Sequence, residues 1–74
     1  MDTGNLVRMA NRIGDFFEAM PERDEALQDI AQHIRKFWEP RMRQQLLAAL
    51  DAGEAVELHD IVRSAVARHR ATLG

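Results

Sequence analysis

Few side chains in this sequence have the type and spacing that chemistry requires. Nucleophilic catalysis needs an activated nucleophile beside a base. The chain has no cysteine and one serine, Ser64. Ser64 falls within a helical pattern and lacks the G-x-S-x-G turn that would expose its hydroxyl. Metal binding needs converging histidines or carboxylates. Asp29 and His33 are four residues apart and share one helix face, but no H-E-x-x-H or paired E-x-x-H motif joins them. A surface hydrogen bond or ion pair accounts for that spacing. His59 is expected at the start of the last helix. His69, between Arg68 and Arg70, falls on its apolar side as a partly buried structural histidine. Phosphate binding favours a glycine-rich loop at a helix start, whereas "MDTGN" and "DAGEA" hold single glycines. The expectation is therefore no catalytic, metal-binding or cofactor-binding residue in this chain.

The elements that position these side chains are constrained by length and charge. The 74 residues allow one domain, 1–74. A chain this small is marginal alone and often gains stability from a disulfide, a metal or a partner. With no cysteine, disulfides are excluded. The formal net charge of −2 at pH 7 does not favour general nucleic-acid binding. No apolar run reaches the length of a membrane span, and the N-terminus "MDTGNLVRMA" has no apolar signal core. A cytoplasmic setting is expected.

Apolar residues recur at helical spacing in four segments, predicting an all-α bundle of short helices at about 5–19, 22–38, 40–52 and 59–72. The first stripe is Leu6, Met9, Ala10, Ile13, Phe17 and Met20, with Asn5 or Thr3 as cap. Pro21 ends this helix and suits the first turn of the next, followed by Glu22, Asp24 and Glu25 at the positive end of the helix dipole. The second stripe is Leu27, Ile30, Ala31, Ile34 and Trp38. Pro40 repeats the corner and begins the third stripe: Met42, Leu46, Ala49 and Leu50. Gly53 suits a left-handed C-terminal cap. The last stripe contains Leu58, Ile61, Val62, Ala65, His69 and Leu73. The expected core is Leu6, Met9, Ile13, Phe17, Leu27, Ile30, Ile34, Trp38, Met42, Leu46, Ile61, Val62 and Ala65.

Charge is segregated. Residues 15–29 hold six acids and one base, and residues 35–43 hold four bases and one acid. Such runs complement helix ends and solvate the surface, or orient the protein on a partner. A helix-turn-helix at the Pro40 corner is a remote alternative: Arg35, Lys36, Arg41 and Arg43 would meet phosphates, but Gln44 and Gln45 alone suit base edges. Several groups fall off the four stripes. Phe16 and Phe37 lie at stripe edges, Val7, Asn11 and Gly14 share a flank of helix 1, and Leu47 projects from helix 3. A mid-helix glycine costs about 1 kcal/mol relative to alanine, so Gly14 marks a close backbone approach. With Arg35, Arg41 and Arg43, these residues form the candidate partner interface, although wide stripes in a small bundle would also explain them.

Two blocks carry a resemblance. "NLVRMANRIGDFFEAMP" and "IAQHIRKFWEPRMRQQLLAAL" resemble the delta subunit of soluble NAD-dependent formate dehydrogenases, and "LHDIVRSAVARHRATL" is similar to that family's last helix. His59 stands where an aspartate, often followed by proline, would be the expected cap. The resemblance implies a small accessory subunit of a bacterial molybdenum or tungsten enzyme. The alpha subunit would carry bis-molybdopterin guanine dinucleotide and iron–sulfur clusters; the beta subunit would carry flavin and bind NAD. This chain would bind none of them. It would support assembly or stability of the catalytic alpha subunit, or contact other subunits. The alternative is an assembly factor that aids insertion of the molybdenum cofactor. Neither nucleic acid nor membrane is an expected partner.

Overall fold

The structure, a computed structural model, describes residues 2–74. Five helices follow in order: α1 (Thr3–Phe17), α2 (Arg23–Phe37), α3 (Pro40–Asp51), α4 (Asp60–Arg68) and α5 (Arg70–Leu73). The fold is all-α, and α2 lies at its centre, packed against α1, α4 and α5.

Helix α1 begins earlier than the stripe suggests. Asp2 is the cap, and its Oδ1 accepts from the Gly4 N–H at 3.1 Å. The helix ends at Phe17, and the Met20 N–H bonds back to the Phe17 carbonyl. This follows from Pro21, which disfavours helical backbone at Met20. Pro21 does not start α2, contrary to expectation. Glu22 is the N-cap, in extended backbone, and Arg23 is the first helical residue. An exposed ion pair between Arg23 and Glu18, at 2.6 Å, spans this joint.

Pro40 does stand at the first position of α3, after a link of only Trp38 and Glu39. The far end of α3 closes as a Schellman motif. Gly53 takes φ +73°, its N–H bonds Leu50 O, and the Glu54 N–H bonds Ala49 O at 2.8 Å.

The expected helix at 59–72 is broken into α4 and α5. His69 leaves the helical region at φ −117°, ψ 32°, without a glycine or proline to signal it. The break turns Leu73 inward, where it is 2% exposed.

One apolar cluster draws on all five helices and on Ala55 and Leu58 from the α3–α4 connection. Leu6, Ile30, Ile34, Leu46, Ile61 and Val62 are its largest fully buried side chains. Leu27, Trp38 and Ala65 are also buried, while Met9, Ile13, Phe17 and Met42 sit half-buried at its rim. Among the described residues, no helix is long and apolar enough to cross a membrane.

Candidate protein-binding surface

The residues singled out as a partner interface do not form one surface. Val7 and Leu47 belong to the core, at 5% and 8% exposure, and Gly14 is buried. Helix α1 has two packed flanks, because α2 and α4 both touch it. Gly14 does mark a close approach, but within the chain: a Cβ there would lie 2.5 Å from Val62 Cγ2 and 3.0 Å from Ile61 Cγ2. Leu47 is covered because α3 also packs on α1.

Asn11 is engaged internally. Its Nδ2 donates to Glu57 O at 3.0 Å, and its Oδ1 accepts from the His59 N–H at 2.8 Å. His59 is the N-cap of α4 and makes no side-chain cap bond. Asn11 instead satisfies the N-cap backbone donor, the task that the third helical residue performs in a capping box. The His59 ring is left to meet Asp15, with Nδ1 2.9 Å from Oδ1.

Arg43 is likewise structural, being 8% exposed. Its Nε donates to Leu73 O at 3.2 Å, and Nη1 donates to Arg35 O at 3.1 Å and Trp38 O at 2.6 Å. Two of these carbonyls belong to the end of α2, where helical partners run out. The planar guanidinium therefore ties α2, α3 and α5 together at the corner. Arg63 has a similar part in the connection before α4: Nε donates to Leu58 O at 3.1 Å and Nη2 to Ala55 O. Spacing alone did not single out Arg63.

The remaining candidates are exposed. Phe16 and Phe37 are 77% and 66% accessible, and Arg35 and Arg41 face solvent. Phe16 and Phe37 are the ends of one aromatic row. Phe16 meets Phe17 edge-on at 5.0 Å, Phe17 meets His33 at 6.3 Å, and His33 tilts against Phe37 at 4.7 Å between centroids. Arg12, Ile13, Phe16, Phe17 and His33 line a shallow groove beside this row. Lys36 Nζ lies 5.7 Å from the Phe37 centroid, within cation–π range. Sequence reasoning missed Arg12 and His33 here and placed Phe17 wholly in the core. The missed signal is the i, i+4 spacing of Arg12 with Phe16 and His33 with Phe37, which stacks each pair on one helix face.

Charge around the row is uneven. Asp15 and Glu18 are taken by His59 and Arg23. Among the described residues, the ion pairs do not include Arg12, Lys36 or Asp29. Elsewhere, Arg70 grips both oxygens of Asp51, at 2.9 and 2.6 Å. That hydrogen bonding holds the Asp51 carboxyl below its ordinary value; desolvation opposes it, and the Arg70 charge adds a lesser lowering. Among the described residues, no group of three or more histidines or carboxylates is placed to hold a metal ion.

The model of a family described as "NADH-dependant formate dehydrogenase delta subunit FdsD" matches residues 5–66. The chain belongs to that family. The delta-subunit match spans both blocks on which the resemblance rested, and it includes the aromatic row, Asn11 and Arg43. It stops within α4, so α5 and the Leu73 carbonyl lie beyond it. No curated protein and no solved structure matches the chain.

Proposed function

We propose that this chain is a small, non-catalytic accessory subunit of an NAD-dependent formate dehydrogenase. It supports assembly or stability of the catalytic alpha subunit through protein–protein contacts. The observation that carries this reading is the exposed aromatic row in a member of the delta-subunit family. Two phenylalanines at 77% and 66% exposure leave apolar area in water that a partner would remove. On this reading the molybdopterin cofactor, iron–sulfur clusters, flavin and NAD are held by the other subunits, and the complex works in the cytoplasm.

The test is native mass spectrometry of the purified enzyme, with formate-dependent NAD reduction measured in preparations with and without this chain. The expected result is a stoichiometric copy of the chain in active complex, and loss of alpha subunit when it is withheld. A mature complex fully loaded with cofactor, stable and active without the chain, would overturn the structural role and favour a transient factor in cofactor insertion.

A further inference from the structure

Resting on that reading, we infer that the Phe16–Phe17–His33–Phe37 row is the docking surface, and that it receives a single apolar segment bearing a carboxylate, supplied by another subunit of the dehydrogenase. Three observations define the occupant.

The first is shape. The rings form a continuous row, with centroid spacings of 5.0, 6.3 and 4.7 Å, flanked by a groove between Arg12, Ile13 and His33. A helix or strand can lie along such a row, with apolar side chains between rings.

The second is area. Fully burying a phenylalanine removes roughly 150–250 Å². Phe16 and Phe37 are already partly covered, at 77% and 66% exposure, so together they offer less than about half of the ~800 Å² per partner of a standard interface. That suits one inserted segment better than a broad face shared by two copies of this chain.

The third is charge. The acids beside Phe16 and Phe17 in sequence are already engaged, Asp15 with the His59 ring and Glu18 with Arg23. Arg12 at the groove and Lys36 over Phe37 have no ion pair among the described residues. Among the described residues, Asp29 and Glu25, one and two turns before His33 in the same row of α2, are acids without an ion pair. A segment with a carboxylate facing Arg12 or Lys36 is complementary. Arginine and aromatic side chains are also the types that dominate interface energetics.

The experiment measures rebinding of the full chain to dehydrogenase purified as the complete complex and then stripped of this chain. The variants are Phe16→Ser/Phe37→Ser, Arg12→Glu/Lys36→Glu, and, as control, Val56→Ser. Val56 is an apolar residue 76% exposed beside the start of α1, at the opposite end of that helix from Phe16. The phenylalanine pair is expected to raise Kd at least about tenfold, with the melting temperature of the free chain unchanged. The charge reversal is expected to raise Kd and flatten its salt dependence, while Val56→Ser binds as wild type.

Wild-type binding by the phenylalanine variant would refute this surface while leaving the subunit role intact. Unchanged affinity and salt dependence in the charge reversal would refute the carboxylate. Weakening by Val56→Ser equal to that of the phenylalanine pair would place docking at the other end. A wild-type chain that fails to bind the dehydrogenase, or that instead forms dimers dissolved by Phe16→Ser/Phe37→Ser, would overturn the subunit role together with the surface.

Discussion

Replacing Gly14 with alanine sets two opposing effects against each other, and the packing decides the sign. In an exposed helix the change would stabilise by about 1 kcal/mol, through helix propensity and a less disordered unfolded chain. Here the added Cβ would arrive 2.5 Å from Val62 Cγ2, far inside van der Waals contact. Val62 cannot step aside easily. It is β-branched, so one rotamer dominates in a helix, and it is 0% exposed. Ile61 Cγ2, at 3.0 Å, blocks a second direction. Relief therefore requires α4 to move off α1, which would also stretch the Asn11 bonds to Glu57 and His59. Overpacking of this kind costs about 1–3 kcal/mol, and rigid neighbours place it near the top of that range. The net expected loss is about 2 kcal/mol. For a chain of this size that lowers Tm by roughly 8–16 °C. The assay is thermal unfolding by far-UV circular dichroism, with the folded-state helix signal retained. A second variant, Gly14→Ala/Val62→Ala, removes the clashing methyl. It should lose at least about 1 kcal/mol less than the sum of the single changes. A Gly14→Ala protein melting at or above wild type would refute the reasoning, because it would mean that the α1–α4 contact yields without cost.

Arg43→Ala strands three carbonyls and should destabilise by about 2–4 kcal/mol in urea unfolding; Arg41→Glu, on the exposed side of the same corner, should leave the midpoint unchanged. Asn11→Asp keeps an acceptor for the His59 N–H but loses the donor to Glu57 O, so it should destabilise, and Asn11→Ala, which loses both, by about 1–2 kcal/mol; amide hydrogen exchange of His59 should report the difference. The Asp51 carboxyl should titrate below 3.8 by carbon-detected NMR and return toward that value in Arg70→Gln. A depressed folded-state pKa contributes stability that is present above the unfolded value and is lost as pH falls through the folded one. Wild-type Tm should therefore fall more steeply below pH 3.8 than that of Asp51→Asn.

The helices were legible because a 3.6-residue stripe needs only one neighbour to bury it, and the buried pairs Leu6 and Ala10, Ile30 and Ile34, Leu46 and Ala49, and Ile61 and Ala65 each follow that spacing. The second buried flank of α1 was not, since Gly14 is inside because α4 returns to that side, and Val7 lies beside the α3–α4 connection. Proline marked both corners, but its covalent constraint says where a helix cannot continue rather than where the next begins. Hence Pro40 heads α3, whereas Pro21 stands outside α2. The break at His69 carries no local signal; its consequence is seen in the burial of Leu73 and the carbonyl that Arg43 receives. Arg43 read as surface charge because its partners are backbone oxygens, which sequence spacing does not display. Phe16 and Phe37 were identifiable by their offset from the stripes, but the row that joins them through Phe17 and His33 depends on how α1 crosses α2.

The Arg43 corner also sets an order in time. One of its three acceptors, Leu73 O, lies 30 residues downstream. At about 5–20 residues per second of synthesis, the guanidinium waits roughly 2–6 s for that carbonyl, while helices form in microseconds. During translation the joint between α2 and α3 is held by Arg35 O and Trp38 O alone. The side of α2 that α4 covers likewise stays open until α4 is made, although α1 already lies against another side. The corner between α2 and α3 therefore gains its third carbonyl only after α4 and α5 have been made.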